Sequence, residues 1–312
     1  MEYSKYKFFC IFNSSAKLPF YKGSTFRGVF GHALKNVVCA LKHNECATCL
    51  LCRNCIYALV FETKSACDIP DKSRISAIPH PFVIEPPLTE QREYKPGDSF
   101  DFNLILFGKT NKNFPYFIYA LEQMGKLGVG KKINNNRGTF KLSKVAANGK
   151  IIYSASEQKI LSHDLLTLNL NMDHNNGTKE IIINLTLETP LRLKFKNKLN
   201  AELPFHILTR AMLRRISTLF QFYGNGEPDI DYKDLVKDAE NIKIIKNNLK
   251  WFDWKRYSSR QKEKMFMGGL TGTVTYKGKL TKYLPLLDLC SKTHIGKQTA
   301  FGLGKIRTEV IK

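Results

Sequence analysis

The chain has 312 residues, of which 43% are hydrophobic and 24% charged, enough to bury two cores of ordinary size and stay in water. Lys and Arg number 49 against 27 Asp and Glu, a net charge of +22, which excludes an acidic solvating chain and points to a polyanionic partner, nucleic acid before an anionic membrane. No run reaches the about 18 apolar residues of a membrane span, and Met1–Phe12 lacks the apolar stretch and small-residue cleavage site of a leader. The expectation is a cytoplasmic protein with no membrane partner.

Tyr6–Phe12 reads as a strand, and Ser24–Lys42 as a helix with Phe26, Val29, Phe30, Ala33, Leu34, Val37 and Leu41 near a 3.6-residue period. After a cysteine-rich loop, Tyr57–Phe61 (YALVF) is predicted to be a strand, Pro81–Glu85 an extra strand, and Phe100–Phe107 a strand with clear alternation. Pro115–Lys126 is a helix, Gly128 and Gly130 open a loop, and Thr139–Val145 is a strand. The second half repeats the order: strand Glu180–Leu187, helix Pro204–Phe222, strand-like Ile242–Trp254, strand Leu270–Tyr276, helix Leu280–Lys292, a glycine loop, and strand Lys305–Ile311. A βαββαβ plan written twice predicts an α+β fold of two tandem ferredoxin-like (RRM-like) domains. The expected domains are residues 1–174, with a cysteine-rich insertion at 39–55, and 175–312, with the glycine loop at 294–304. Two echoes support the repeat: Leu18-Pro19-Phe20 against Leu203-Pro204-Phe205, and Gly128-Val129-Gly130 against His294-Ile295-Gly296.

The glycine loop reads HIGKQTAFGLGKI from His294 to Ile306. Dense glycines let backbone N–H groups close around an anion, and Lys297 and Lys305 add cations. The order is neither a Walker A loop nor a dinucleotide fingerprint. A turn that merely joins helix to strand is the bland alternative.

Eight cysteines in a reducing compartment are thiols or metal ligands before they are disulfides. Cys39, Cys46, Cys49, Cys52 and Cys55 fall close together, and four thiolates suit structural zinc, with a [4Fe–4S] cluster as the alternative and unmetallated thiols as the bland reading. Cys10, Cys67 and Cys290 read as ordinary buried thiols.

Of seven histidines, His32 stands about 150° from the centre of the apolar stripe of its helix, on a polar side shared with Gly28, Gly31 and Lys35. A solvated surface residue is its ordinary alternative, as helix capping is for His294. His206, Arg210 and Arg214, four residues apart, form one helical stripe that suits an RNA backbone or a solvated basic face. Aromatic residues, 12% of the chain, fall mostly on core-facing positions.

The segment HIGKQTAFGLGKI resembles the C-terminal glycine-rich signature of the CRISPR pre-crRNA processing endoribonucleases of the RAMP superfamily. LPFYKGSTFRGVFGHA (Leu18–Ala33), HPFVIEPP (His80–Pro87) and LPFHILTRAMLRRISTLFQFYG (Leu203–Gly224) resemble other parts of one subgroup, so the likeness spans nearly the whole chain. The common signature begins Gly-x-Gly, whereas here His294 takes the first glycine's place. The resemblance implies paired ferredoxin-like domains holding RNA and one cut per CRISPR repeat. The implied chemistry is 2′-hydroxyl attack, leaving a 2′,3′-cyclic phosphate and a 5′-hydroxyl without a catalytic metal. It implies a histidine on or just after the first helix as acid or base: His32 first, His43 as its rival, with His294 second and Lys297 stabilising the charged intermediate. Candidate RNA contacts are Arg27, Lys35, His206, Arg210, Arg214, Arg215, Gly296, Gly302, Gly304 and Lys305. The subgroup's pattern favours Cys39, Cys46, Cys49 and Cys55 as the metal set and leaves Cys52 spare. The implied partners are CRISPR repeat RNA and crRNA, with a multi-subunit effector complex; the rival reading is a catalytically inactive RAMP subunit that binds crRNA, and a third is a zinc-dependent adaptor contacting nucleic acid through the cysteine loop.

Overall fold

The computed structural model describes residues 1–42, 45–68, 77–172, 180–193, 202–258 and 263–311; the side chains of 255–258 and 263–267 are not described. It divides into two compact units, Met1–Thr167 with Phe222–Gly224, and Leu168–Gln221 with Asn225–Lys312. The expected boundary at 174/175 falls at 173–179, outside the described residues.

Unit 1 runs β1 (Glu2–Phe12), β2 (Ala16–Lys17), α1 (Gly23–Val38), α2 (Ile56–Phe61), α3 (Thr63–Ala66), β3 (Phe82–Glu85), β4 (Glu93–Tyr94), β5 (Ser99–Phe107), α4 (Phe114–Leu127), β6 (Val129–Ile133), β7 (Asn136–Gly138), β8 (Phe140–Ala147), β9 (Lys150–Ser154), β10 (Lys159–Ile160) and β11 (Leu166–Thr167). Its large sheet has the order β10-β9-β8-β1-β5-β3, with β11 beside the start of β1; β4-β2-β6-β7 form a small second sheet. Alternation along β1 turns Tyr6, Phe8, Cys10 and Phe12 inward. There they meet the apolar stripes of α1 and α4: Phe26 lies edge-on to Phe102 at 5.2 Å and Phe30 to Phe117 at 6.0 Å. Large buried rings of this kind each hold about 3–5 kcal/mol against truncation to alanine.

Unit 2 runs β12 (Ile181–Leu191), α5 (Phe205–Tyr223), α6 (Tyr232–Ala239), β13 (Lys243–Asn247), β14 (Lys250–Ser258), β15 (Glu263–Gly278), α7 (Leu284–Thr293) and β16 (Ile306–Val310). The end of α5 is counted with unit 1. The sheet order is β13-β15-β12-β16, with β14 also on β15. All described strand pairs are antiparallel in both units. In unit 1 the first strand, β1, lies between β5 and β8, and in unit 2 the first strand, β12, lies between β15 and β16.

The sequence expectation fails at Tyr57–Phe61, which is helix within α2. Its aromatic and β-branched residues suit a strand. The short connection from the cysteine loop winds it instead, stacking Tyr57 on Phe61 one turn later at 5.4 Å and burying Ala58, Val60 and Phe61. The segment after Gly128 is not a plain loop but the β6–β7 ribbon. No described helix is long and apolar enough to cross a membrane.

Candidate nucleic-acid interface

The basic stripe on α5 is present as spaced. Arg210 and Arg214 are exposed and His206 half-buried, on the side opposite Leu208, Met212, Ile216 and Leu219. Two guanidiniums one turn apart can bridge successive phosphates of a nucleic-acid backbone. Arg215 belongs elsewhere, and its expected RNA contact is corrected. It is 7% exposed, and its Nε and Nη2 donate to the carbonyl oxygens of Thr293 and His294 at 2.9–3.2 Å. Its spacing from Leu208 and Met212 places it on the buried period, a signal the sequence carried.

The glycine loop is a folded clasp. Thr189 sits at its centre, 3% exposed; its Oγ1 donates to the Gly302 carbonyl at 2.8 Å and accepts from the Lys305 N–H at 2.9 Å. The Gly304 N–H donates to the Pro190 carbonyl, the Lys297 N–H to Arg192, and the Gly302 N–H to Thr299. Gly304 has φ 74°, and a Cβ there would run into the Ile295 carbonyl, so only glycine fits. Gly302 and Gly304 are buried, and Lys305 pairs with Glu188 at 3.0 Å. The expected anion nest at Gly302, Gly304 and Lys305 is therefore corrected: these N–H groups are spent on β12 and the loop, because a glycine-rich turn packed on a strand satisfies its own backbone first. The outer turn is different. Gly296 is half-buried, Lys297 is exposed, and Gln298 is left-handed at φ 64°.

His294 is fully buried. Its Nδ1 lies 3.1 Å from the Leu303 carbonyl, an acceptor, so Nδ1 carries the proton and donates. The imidazole closes the clasp and is shut off from solvent. His32 is exposed on the polar side of α1, where the helical period puts it; among the described histidines it is the exposed one. His43 lies outside the described residues.

Arg27, also on α1, places Nη2 3.1 Å from His80 Nε2 and its cation 5.0 Å from the Phe61 ring. His80 Nδ1 donates to the Val60 carbonyl at 2.9 Å. Arg27 is thus engaged with His80 and Phe61 within unit 1. Lys35 stands 5.6 Å from the Tyr57 ring. Sequence reasoning missed Lys22, 1% exposed, whose Nζ donates to the carbonyls of Thr89 and Phe20 at 2.6 and 3.4 Å. Burial, and then Arg92 nearby, push its ammonium below the usual lysine range. It missed as well the row from His163 Nε2 to Tyr6 and on to Asn111, each step 3.1 Å; burial pushes the Tyr6 phenol up to about 12.

The cysteine loop winds as two short 3₁₀ turns, Cys46–Thr48 and Cys52–Asn54. Cys52, the expected spare, is the buried centre, packed with Ala58 and Ala66; Cys46, Cys49, Cys55 and Cys67 lie against it. Cys39 ends α1 and is not in this cluster, whereas Cys67, read as an ordinary thiol, is. Burial raises the thiols of Cys46 and Cys52, with neighbouring cysteines adding to it. Among the described residues no group of three or more His, Cys, Asp or Glu side chains is placed to hold a metal ion. The donors suit a soft ion, but their present arrangement does not fit a closed four-thiolate shell.

Residues 1–165 match the family model AF_1859_N, N-terminal domain, and residues 185–306 match CRISPR-associated endoribonuclease Cas6. An uncharacterized protein of Archaeoglobus fulgidus is 24% identical over 300 residues, covering 93% of this chain and 92% of that one. Among solved structures, a chain of a partial Cas6-RT-Cas1–Cas2 complex superposes with a TM-score of 0.59 at 15% identity over 99% of this chain, which spans 46% of that longer one. A Thermus thermophilus Cas6 superposes with a TM-score of 0.54 at 13% identity, over 99% of this chain and 98% of the other. At these identities the superpositions speak for a shared α/β fold with antiparallel sheets. The chain carries an AF_1859_N-type N-terminal domain over more than half of its length, and its residues 185–306 match the CRISPR-associated endoribonuclease Cas6 family model.

Proposed function

We propose that this chain cuts CRISPR repeat RNA by attack of a 2′-hydroxyl on the adjacent phosphate, leaving a 2′,3′-cyclic phosphate and a 5′-hydroxyl, with no catalytic metal. In this reading each unit is a ferredoxin-like βαββαβ domain, which the common strand order supports. One observation carries the site assignment: His32 is exposed on the polar side of α1 while His294 is sealed inside its loop. An accessible imidazole can take or give a proton near neutral pH. His32 acts as general base or acid, and Lys297, exposed on the outer glycine turn, supplies positive charge to the phosphorane. His206, Arg210 and Arg214 hold the RNA backbone.

The partners in this reading are the repeat RNA and its crRNA product. Association with further CRISPR proteins is a second element, supported by the Cas6-RT-Cas1–Cas2 assembly that the chain resembles in part. Structural zinc at the cysteine loop, or a [4Fe–4S] cluster, is a proposal that requires the thiols to converge from their present positions; metal analysis of the purified chain decides it.

Cleavage of repeat RNA in excess EDTA, beside the same RNA with a 2′-deoxy nucleotide at the cut site, tests the chemistry. The first is cut and the second is not; His32→Ala lowers the rate by about 10²–10⁴-fold with binding retained. Tight binding with cutting of neither RNA would replace this reading by a non-catalytic crRNA-binding subunit.

A further inference from the structure

The outer face of the large sheet in unit 1 carries a group of side chains that the cleavage reading does not use. β1 is central in that sheet, and its alternation leaves Lys5, Lys7, Phe9 and Ile11 on the face away from α1 and α4. Phe9 is partly exposed, and two ammonium groups stand beside its ring: Lys7 from the same strand at 5.1 Å and Lys144 from β8 at 5.0 Å. Directly opposite Phe9 in β5 is Asp101. Paired residues of an antiparallel ladder share a face, with Cβ atoms about 5 Å apart. The Asp101 carboxylate therefore lies next to the ring, 49% exposed, 3.4 Å from the Lys7 ammonium. Asp101 and Ser99 also line a cavity of about 340 Å³, together with Thr89 and Gln91.

An aromatic ring on an open sheet strand, flanked by lysines and bordered by a polar cavity, has the parts of a base-binding site. Rings stack bases, lysines meet the flanking phosphates, and the cavity edge reads polar groups. The reading group here is a carboxylate, which only accepts hydrogen bonds and offers two oxygens. Guanine is the base whose Watson–Crick edge presents two adjacent donors, N1–H and N2–H. Adenine and cytosine each set a ring-nitrogen acceptor beside their one amino donor, and uracil sets carbonyls on both sides of its single N–H. The Lys7–Asp101 pair is long and half exposed, so it holds the carboxylate weakly and yields it to a stronger partner.

We propose that Phe9, Asp101, Lys7 and Lys144 form a subsite for a single guanine of single-stranded RNA, the base stacked on Phe9 and its Watson–Crick edge on Asp101. The proposal rests on the RNA reading above but uses none of the residues placed in the cleavage machinery.

The test is fluorescence anisotropy of the full chain with labelled oligouridine 8-mers carrying one central G, A or C, at fixed salt. The wild type binds the G-bearing 8-mer roughly tenfold more tightly than the A-bearing one, as a bidentate base contact provides. Asp101→Asn removes that ratio and leaves the A-bearing affinity nearly unchanged. Phe9→Ala weakens all three by roughly 5- to 150-fold, the loss of one stacking platform, and Phe9→Tyr keeps them. A flat wild-type ratio, a ratio that survives Asp101→Asn, or Phe9→Ala binding like wild type overturns the subsite. If Phe9→Ala fails to fold, Asp101→Asn and Phe9→Tyr still decide it. Repeat RNA assayed on the same preparations separates the two claims. RNA cut normally by a chain without guanine preference removes the subsite alone; a wild type that neither binds nor cuts repeat RNA removes the functional reading and the subsite with it.

Discussion

The second long helix of each unit leaves along the same path but not on the same residue. α4 ends at Gly128, with φ 73° and ψ 162°, and α7 at His294, with φ 57° and ψ 158°. Two residues further, Gly130 and Gly296 have φ 88° and 81°. A Cβ on Gly130 would run into the Lys17 carbonyl, and one on Gly296 would lie 2.7 Å from the Arg192 carbonyl. This backbone region belongs almost wholly to glycine, and another residue there costs about 1–3 kcal/mol. Unit 2 accepts that cost because neighbours fix the exit from both sides: Arg215 holds the carbonyls before and at His294, and the imidazole is tied to Leu303. Unit 1 needs no such ties. Its glycine exit continues into the β6–β7 ribbon, which pairs with β2. The difference teaches that the glycine loop of unit 2 is a tensioned clasp whose buried side chains set its shape.

The strongest way to break the comparison is Arg215→Ala. It strands the Thr293 and His294 carbonyls without donors in a buried place, where each unmet group costs about 1–3 kcal/mol. We expect unit 2 to lose roughly 3 kcal/mol or more by urea denaturation. Arg215→Lys recovers only a part, since an ammonium lacks the planar fork. A loss below about 1 kcal/mol would mean that the histidine exit is held by something other than this arginine.

Gly130→Ala sharpens the comparison from the other side. Alanine there meets both a positive φ and the Lys17 carbonyl, so unit 1 should lose about 2 kcal/mol. The read-out is the urea midpoint of unit 1, with unit 2 unmoved.

Much of this was legible in the sequence. The paired exits were visible as Gly128-Val129-Gly130 and His294-Ile295-Gly296, and most long strands and periodic helices were found within a few residues of their bounds, although β15 begins seven residues before the expected Leu270 and the stretch Ile242–Trp254 is two strands. YALVF failed because a five-residue apolar run carries no period long enough to tell strand from helix, and its neighbours decided. The stripe of His206, Arg210 and Arg214 was legible because an exposed helix face needs only spacing. Arg215 was misplaced although its spacing from Leu208 and Met212 marked it as buried: a basic residue beside a basic stripe reads as part of the stripe. The anion nest was misread for a deeper reason. Glycine density announces backbone freedom but not where the freed N–H groups point, and Thr189, which receives the loop, lies more than a hundred residues earlier. The Phe9 face was invisible because an aromatic on a strand defaults to core until the partner strands are known.

The smallest effect, that of His294→Gly set beside His294→Ala, distinguishes strain from chemistry at His294. His294→Ala keeps the positive φ and loses both the bond to Leu303 and the buried ring, so we expect a loss of about 2–3 kcal/mol. His294→Gly loses the same contacts but removes the backbone cost, and should fall within about 1 kcal/mol of wild type. The order glycine above alanine, measured by thermal unfolding, is what a strained exit requires; equal losses would mean that the strain is not stored there. The same pair decides whether the imidazole takes part in cleavage. A sealed histidine predicts that His294→Gly, once folded, cuts repeat RNA within a few-fold of wild type. A loss on the scale of His32→Ala with the fold intact would mean that the clasp opens during the reaction and exposes the imidazole.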